Sequence, residues 1–139
     1  MFEKIMIPVD LNHIDGMQKS LEAAAWLARQ YDATVYYVTV AGRVPNRAAR
    51  TPEELARHLA DFARQQGEEY GMTTDSRPMD STDVTIELDD KLVQAQKEIG
   101  ADLVVMASHI PGVADRLHLI SSNAGELAQR LPVSVFILR

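Results

Sequence analysis

A chain of 139 residues and 15.4 kDa has the size of one ordinary globular domain, and its 46% apolar and 24% charged residues exclude bulk disorder and collagen-like composition. With no cysteine, a disulfide framework, a thiolate zinc site and thiol catalysis are all excluded. Fourteen Lys and Arg against twenty Asp and Glu leave a net charge of −6 and a pI near 5.1, so the basic footprint of a generic nucleic-acid binder is missing.

The opening, MFEKIMIPVD, runs straight into a strand-like pattern without the charged and apolar regions of a signal peptide. No apolar run approaches the roughly eighteen residues of a membrane span. The expectation is a cytoplasmic domain with neither membrane nor nucleic acid as partner. The apolar run Lys4 to Val9 reads as a strand buried on both faces, with Asp10 at its carboxyl end. From about Asp15 to Tyr31 the spacing turns helical, with Met17, Leu21, Ala24, Ala28 and Tyr31 three and four apart. Asp32 and Ala33 break it, and the β-branched and aromatic run Thr34 to Val40 is a second strand.

Ala41 to Arg50, holding Gly42, Pro45 and three arginines, reads as a loop. Thr51-Pro52-Glu53-Glu54 is a helix start, with Thr51 as cap, Pro52 in the first turn and Glu54 completing a capping box. Leu55, Leu59 and Phe62 give that helix its buried face, and it ends near Gly67 to Gly71. Thr73 to Met79 takes its place as third strand from the alternation. Val84, Leu88, Leu92, Ala95 and Ile99 then mark a helix stopped by Gly100. Ala101 to Ala107 is the clearest buried strand; Ser108 to Leu119 is a loop; Ser122 to Leu131 is a short helix ended by Pro132; Val133 to Leu138 is the last strand. Buried strands alternating with helices predict a single α/β domain over residues 1–139, with right-handed crossovers and a mostly parallel sheet covered on both faces.

Five segments in order, Lys4–Asp10 (KIMIPVD), Ala24–Ala28 (AAWLA), Gly100–Ser108 (GADLVVMAS), Leu119–Ala124 (LISSNA) and Leu131–Arg139 (LPVSVFILR), resemble the universal stress protein family. The resemblance implies a doubly wound, Rossmann-like five-stranded parallel sheet of order 3-2-1-4-5. Ligands of open α/β sheets lie at the switch point, here between strands one and four. In nucleotide-binding members, ATP with Mg fills that crevice and a motif Gly-x2-Gly-x9-Gly-Ser/Thr wraps the phosphates. Carried over, the cofactor-binding positions are Pro8, Val9 and Asp10, Val40 at the adenine, Met106 and Ala107, and then Ser108, His109, Gly112, Ser121, Ser122 and Asn123. The chain departs from the motif at each glycine, with Ala107, Ile110 and Ser121 in their places and ten residues between the last two. Ser122 keeps the hydroxyl, Gly112 is out of register, and β-branched Ile110 resists φ > 0.

Asp10 either orients a ribose hydroxyl or caps the loop into the first helix. His109 meets a phosphate or is an exposed loop histidine, and His13 and His118 have weaker claims. No His, Asp or Glu spacing makes a metal site, and no nucleophile elbow is present. Arg43, Arg47 and Arg50 read as a solvated loop or as reaching over a phosphate. Asp75, Asp80, Asp83, Glu87, Asp89 and Asp90 read as a solvated acidic band, and Met79 and Met106 as core. Trp26 lies about 160° from the centre of its helix's apolar face and points outward.

The functional expectation is a stress-response regulatory module gated by a nucleotide, with at most slow ATP hydrolysis. The alternative is a nucleotide-free dimer acting through protein interactions. The last strand, Val133 to Leu138, lies at the sheet edge without lysine, bulge or internal proline, and predicts a homodimer through that strand.

Overall fold

The computed structural model describes residues 1–43, 45, 48–107 and 124–139. Its strands are β1 (Lys4–Pro8), β2 (Thr34–Ala41), β3 (Thr74–Asp80), β4 (Leu103–Ala107) and β5 (Ser134–Leu138), and its helices are α1 (Gln18–Tyr31), α2 (Pro52–Tyr70), α3 (Val84–Ile99) and α4 (Ala124–Arg130). All strands are parallel, as the alternation predicts, and the sheet order is β3-β2-β1-β4-β5, as the family resemblance implies. The helix expected from Asp15 begins instead as a 3-10 turn, Ile14–Met17, before α1.

Side chains alternate across the sheet and split the core in two. Ile5, Ile7, Val9, Val35, Tyr37, Leu103 and Val105 pack with Met17, Leu21, Ala24, Ala28, Leu59 and Ala63 of α1 and α2. Met6, Val38, Val40, Met79, Val104 and Met106 pack with Leu92, Ala95, Ile99, Leu127 and Leu131 on the α3 and α4 side. Trp26 is 63% exposed, on the outward face of α1.

The punctuation is local chemistry. Thr51 Oγ1 accepts the Glu54 N–H at 3.1 Å, but the Glu54 carboxylate takes the N–H of Arg50, at 3.2 Å, instead of closing the capping box on Thr51. Gly71 (φ 63°) and Gly100 (φ 74°) end α2 and α3 in the left-handed conformation that glycine adopts without cost. Gly67 lies within α2, where a Cβ would stand 2.8 Å from Thr74 Oγ1, so its absence lets the helix close onto β3.

Candidate functional site

The crevice opens where β1 and β4 part. Lys4 turns its carbonyl to the Asp102 N–H at 3.0 Å, so by alternation Lys4, Met6 and Pro8 direct their backbone groups toward β4. Pro8 has no N–H to give, and the register with β4 covers only Ile5 with Leu103 and Met6 with Val104. On the other side β1 stays with β2 to Pro8 and Val38, and the Val9 N–H adds a bond to the Val38 carbonyl at 2.8 Å. Val40 has the alternation of Val38 and lies past that register. Its N–H and C=O are directed toward β1 beyond the point where the two strands pair, while its side chain is buried among Met79 and Leu92.

Asp10 follows at the carboxyl end of β1 and is 3% exposed. Its Oδ1 accepts the Asn12 N–H at 2.9 Å, its Oδ2 meets His13 Nδ1 at 2.8 Å, and its carbonyl accepts the His13 N–H at 2.9 Å. The carboxylate therefore organises the turn into α1, and His13 is its partner. The signal in the sequence was an acid and a histidine three apart across a turn, which no helical or strand period marks.

Beyond β4 and β5 lies a cavity of about 350 Å³, lined by Asp15, Gly16, Gln18, Lys19 and Ser20 at the start of α1 and by Ala107, Leu138 and Arg139 at the strand ends. Lys19 Nζ donates to the main-chain oxygen of Arg139 at 3.0 Å, a contact across 120 positions that no sequence pattern announces.

A second cleft, of about 280 Å³, lies over the ends of β2 and β3, with Arg43, Ser81, Thr82, Glu87 and Lys91 among its walls. Here Glu87 corrects the reading of a merely solvated acidic band. Its Oε1 accepts from the Thr82 hydroxyl (2.6 Å), the Ser81 hydroxyl (2.9 Å), and the N–H groups of Thr82 (3.0 Å) and Asp83 (3.1 Å). These bonds, the Thr82 hydroxyl foremost, hold its carboxyl at about 2, below the usual carboxylate range.

Of the positions expected to bind a nucleotide, Pro8, Val9, Asp10, Val40, Met106 and Ala107 converge at the carboxyl ends of the three central strands. Ser108, His109, Gly112, Ser121, Ser122 and Asn123 lie outside the described residues, as do Ile110 and Arg47. Val9, Met106 and Ala107 commit their side chains to the core; by alternation Met106 turns its backbone toward β1, whereas Val9 is paired with β2 and Ala107 faces β5. The backbone donor and acceptor at Val40, beside the end of β1, suit the edge of a base, so the described residues fit the base end of a nucleotide. Among the described residues no helix is long and apolar enough to cross a membrane.

Comparison with known proteins gives one answer. The family model of the universal stress protein family matches residues 1–139. A universal stress protein from Archaeoglobus fulgidus superposes with a TM-score of 0.69 at 18% identity, covering 100% of this chain and 95% of its own. A universal stress protein solved in complex with cAMP gives 0.67 at 20% identity, covering 99% and 97%. A family protein from Arabidopsis thaliana solved with AMP bound gives 0.67 at 13% identity, covering 98% and 90%. With the 3-2-1-4-5 sheet and a match along its whole length, the chain belongs to the universal stress protein family.

Proposed function

We propose that the protein is a small cytoplasmic regulatory module whose switch-point crevice takes an adenine nucleotide, ATP with Mg, and that it works as a homodimer paired through β5. The observation that carries the nucleotide reading is Val40, whose backbone donor and acceptor are directed into the crevice beside the end of β1. An adenine edge offers one acceptor next to one donor and meets both there. The relatives solved with cAMP and with AMP support the same ligand class. Binding serves regulation, and turnover of ATP stays below about 1 s⁻¹, the floor of ordinary enzymes.

The dimer rests on the edge chemistry of β5. Asp102 faces β1, so by alternation Leu103 and Val105 face β5, and Val133, Val135 and Ile137 return those bonds. Ser134, Phe136 and Leu138 then turn their N–H and C=O groups outward, with no proline and no charge among them. A two-fold axis lets the same row pair with itself in an isologous contact.

A nucleotide-free dimer is the second reading, favoured by the fact that both Asp10 carboxylate oxygens already have partners within the turn. Calorimetric titration of ATP–Mg and AMP into protein unfolded and refolded to strip carried-over nucleotide separates the two. Saturable binding, weakened about tenfold in Asp10→Ala through loss of the turn's hydrogen bonds, is the expected result. Heats of dilution alone for both ligands would leave the nucleotide-free dimer.

A further inference from the structure

Four charged side chains line the cleft over β2 and β3 without meeting one another. Arg43 and Lys91 bring two cations to its walls, Asp80 and Glu87 two carboxylates, and Ala41 and Pro52 an apolar stretch. Among the described residues neither cation forms an ion pair or a side-chain hydrogen bond, and neither does the Asp80 carboxylate. Lys91 stands four residues after Glu87 on α3, the order and spacing at which a carboxylate and an ammonium pair along a helix. Glu87 turns the other way. Its Oε1 takes four donors from the turn of Ser81, Thr82 and Asp83, which keep it ionised, and its Oε2 takes none of them. The wall at Ser81 is fixed: the residue is 6% exposed, and its N–H donates to the Ala41 carbonyl at 2.8 Å.

Charge balance selects the ligand. Two positive and two negative groups leave the walls without net charge. A plain anion gains at Arg43 and Lys91 and loses at Asp80 and Glu87, and a plain cation fares no better. A molecule carrying both charges gains at both walls. A volume of about 280 Å³ lies at the small end of ligand pockets. We propose that this cleft binds a small zwitterion of the amino-acid class, with its carboxylate on Arg43 and Lys91 and its ammonium on Asp80 and Oε2 of Glu87. An apolar side chain then lies against Ala41 and Pro52. The site is separate from the switch-point crevice, and the inference does not use the nucleotide reading.

The test titrates three probes into the full chain at one fixed salt concentration: L-leucine, isocaproate, which lacks the ammonium, and isoamylamine, which lacks the carboxylate. The readout is the backbone amide shifts of Gly42, Ser81, Thr82 and Asp83. Leucine should give saturable shifts, with each single-charge analogue about tenfold weaker. Lys91→Gln should weaken leucine and isocaproate about tenfold and leave isoamylamine unchanged, with Lys91→Arg close to wild type. Asp80→Asn should weaken leucine and isoamylamine and leave isocaproate unchanged. Isocaproate as tight as leucine would make the cleft a plain anion site, equally tight isoamylamine a plain cation site, and either result overturns the proposal. Shifts indifferent to both substitutions, or no saturable shift from any probe, overturn it as well. Thermal unfolding of each variant identifies any loss that comes from misfolding, and the charge-retaining Lys91→Arg then decides the case.

Discussion

At the β3 edge of the sheet the Asp75 carboxylate accepts the Ser76 N–H at 2.8 Å and Pro78 has no N–H to offer, whereas at the β5 edge Ser134, Phe136 and Leu138 present an unmodified outward row. The same contrast runs along the carboxyl rim. Over β2 and β3, Thr51 Oγ1 takes an N–H at the start of α2, and the Glu87 carboxylate takes two N–H groups at the start of α3. Over β1, β4 and β5 the start of α1 has no such cap, Pro8 withholds a donor from β4, and the cations of Lys19 and Arg139 line an open cavity. One half of the molecule satisfies its own backbone, and the other leaves outward groups on β5 and an open rim, the side to which the proposed function assigns the second chain and the nucleotide.

The largest effect expected from breaking this contrast is at Phe136. Phe136→Pro removes an outward N–H and leaves the bonds between β4 and Val135 intact. Sedimentation equilibrium at micromolar concentration should find the wild type dimeric and the variant a folded monomer; a variant that still dimerises would place the interface elsewhere.

Glycine substitutions sharpen the comparison at smaller scale. At Gly67 a Cβ would stand 2.8 Å from Thr74 Oγ1, which cannot turn away without losing its 2.6 Å bond to the Ala63 carbonyl. Overpacking of that kind costs about 1–3 kcal/mol and outweighs the helix preference of alanine over glycine, about 1 kcal/mol. Gly67→Ala should therefore lower stability by about 1 kcal/mol in urea unfolding. In the open half, nothing lies within 4 Å of a Cβ at Gly125 in α4, so Gly125→Ala should raise stability. Equal and favourable effects at both sites would show that α2 does not rest on β3 as closely as described.

The smallest effect is that of Glu87. Its folded pKa lies near 2 against an ordinary 4.5, so its contribution is fully present above 4.5 and is lost as pH falls toward 2. The urea midpoint of Glu87→Gln should lie below that of the wild type at pH 7 and converge with it near pH 2. A constant difference across that window would show that the carboxylate does not hold the start of α3.

The fold was legible because its signals are local. The KIMIP run, the Thr51-Pro52 start, Gly71 and Gly100 each act within a few residues, and buried parallel strands leave continuous apolar runs, whose order in the sheet came from the family resemblance. The site was legible only in part. Asp10 follows from a strand end and Val40 from the family resemblance, but the Glu54 carboxylate reached Arg50 because side-chain reach, and not motif spacing, selects the nearest free N–H. Glu87 stood in an acidic run whose charge pattern suggests only solvent exposure, while its hydrogen bonds come from the turn before α3. Lys19 with Arg139 exists only once β5 has been laid beside β4.

The most direct test of the open half as the ligand side is the backbone amide NMR spectrum of uniformly labelled protein titrated with ATP–Mg. The account predicts saturable shifts at Asp10, Val40, Met106 and Ala107, with Ser76, Thr82 and Asp83 unmoved. Shifts concentrated at Thr82, Asp83 and the β3 edge, or a spectrum that does not change, would contradict it.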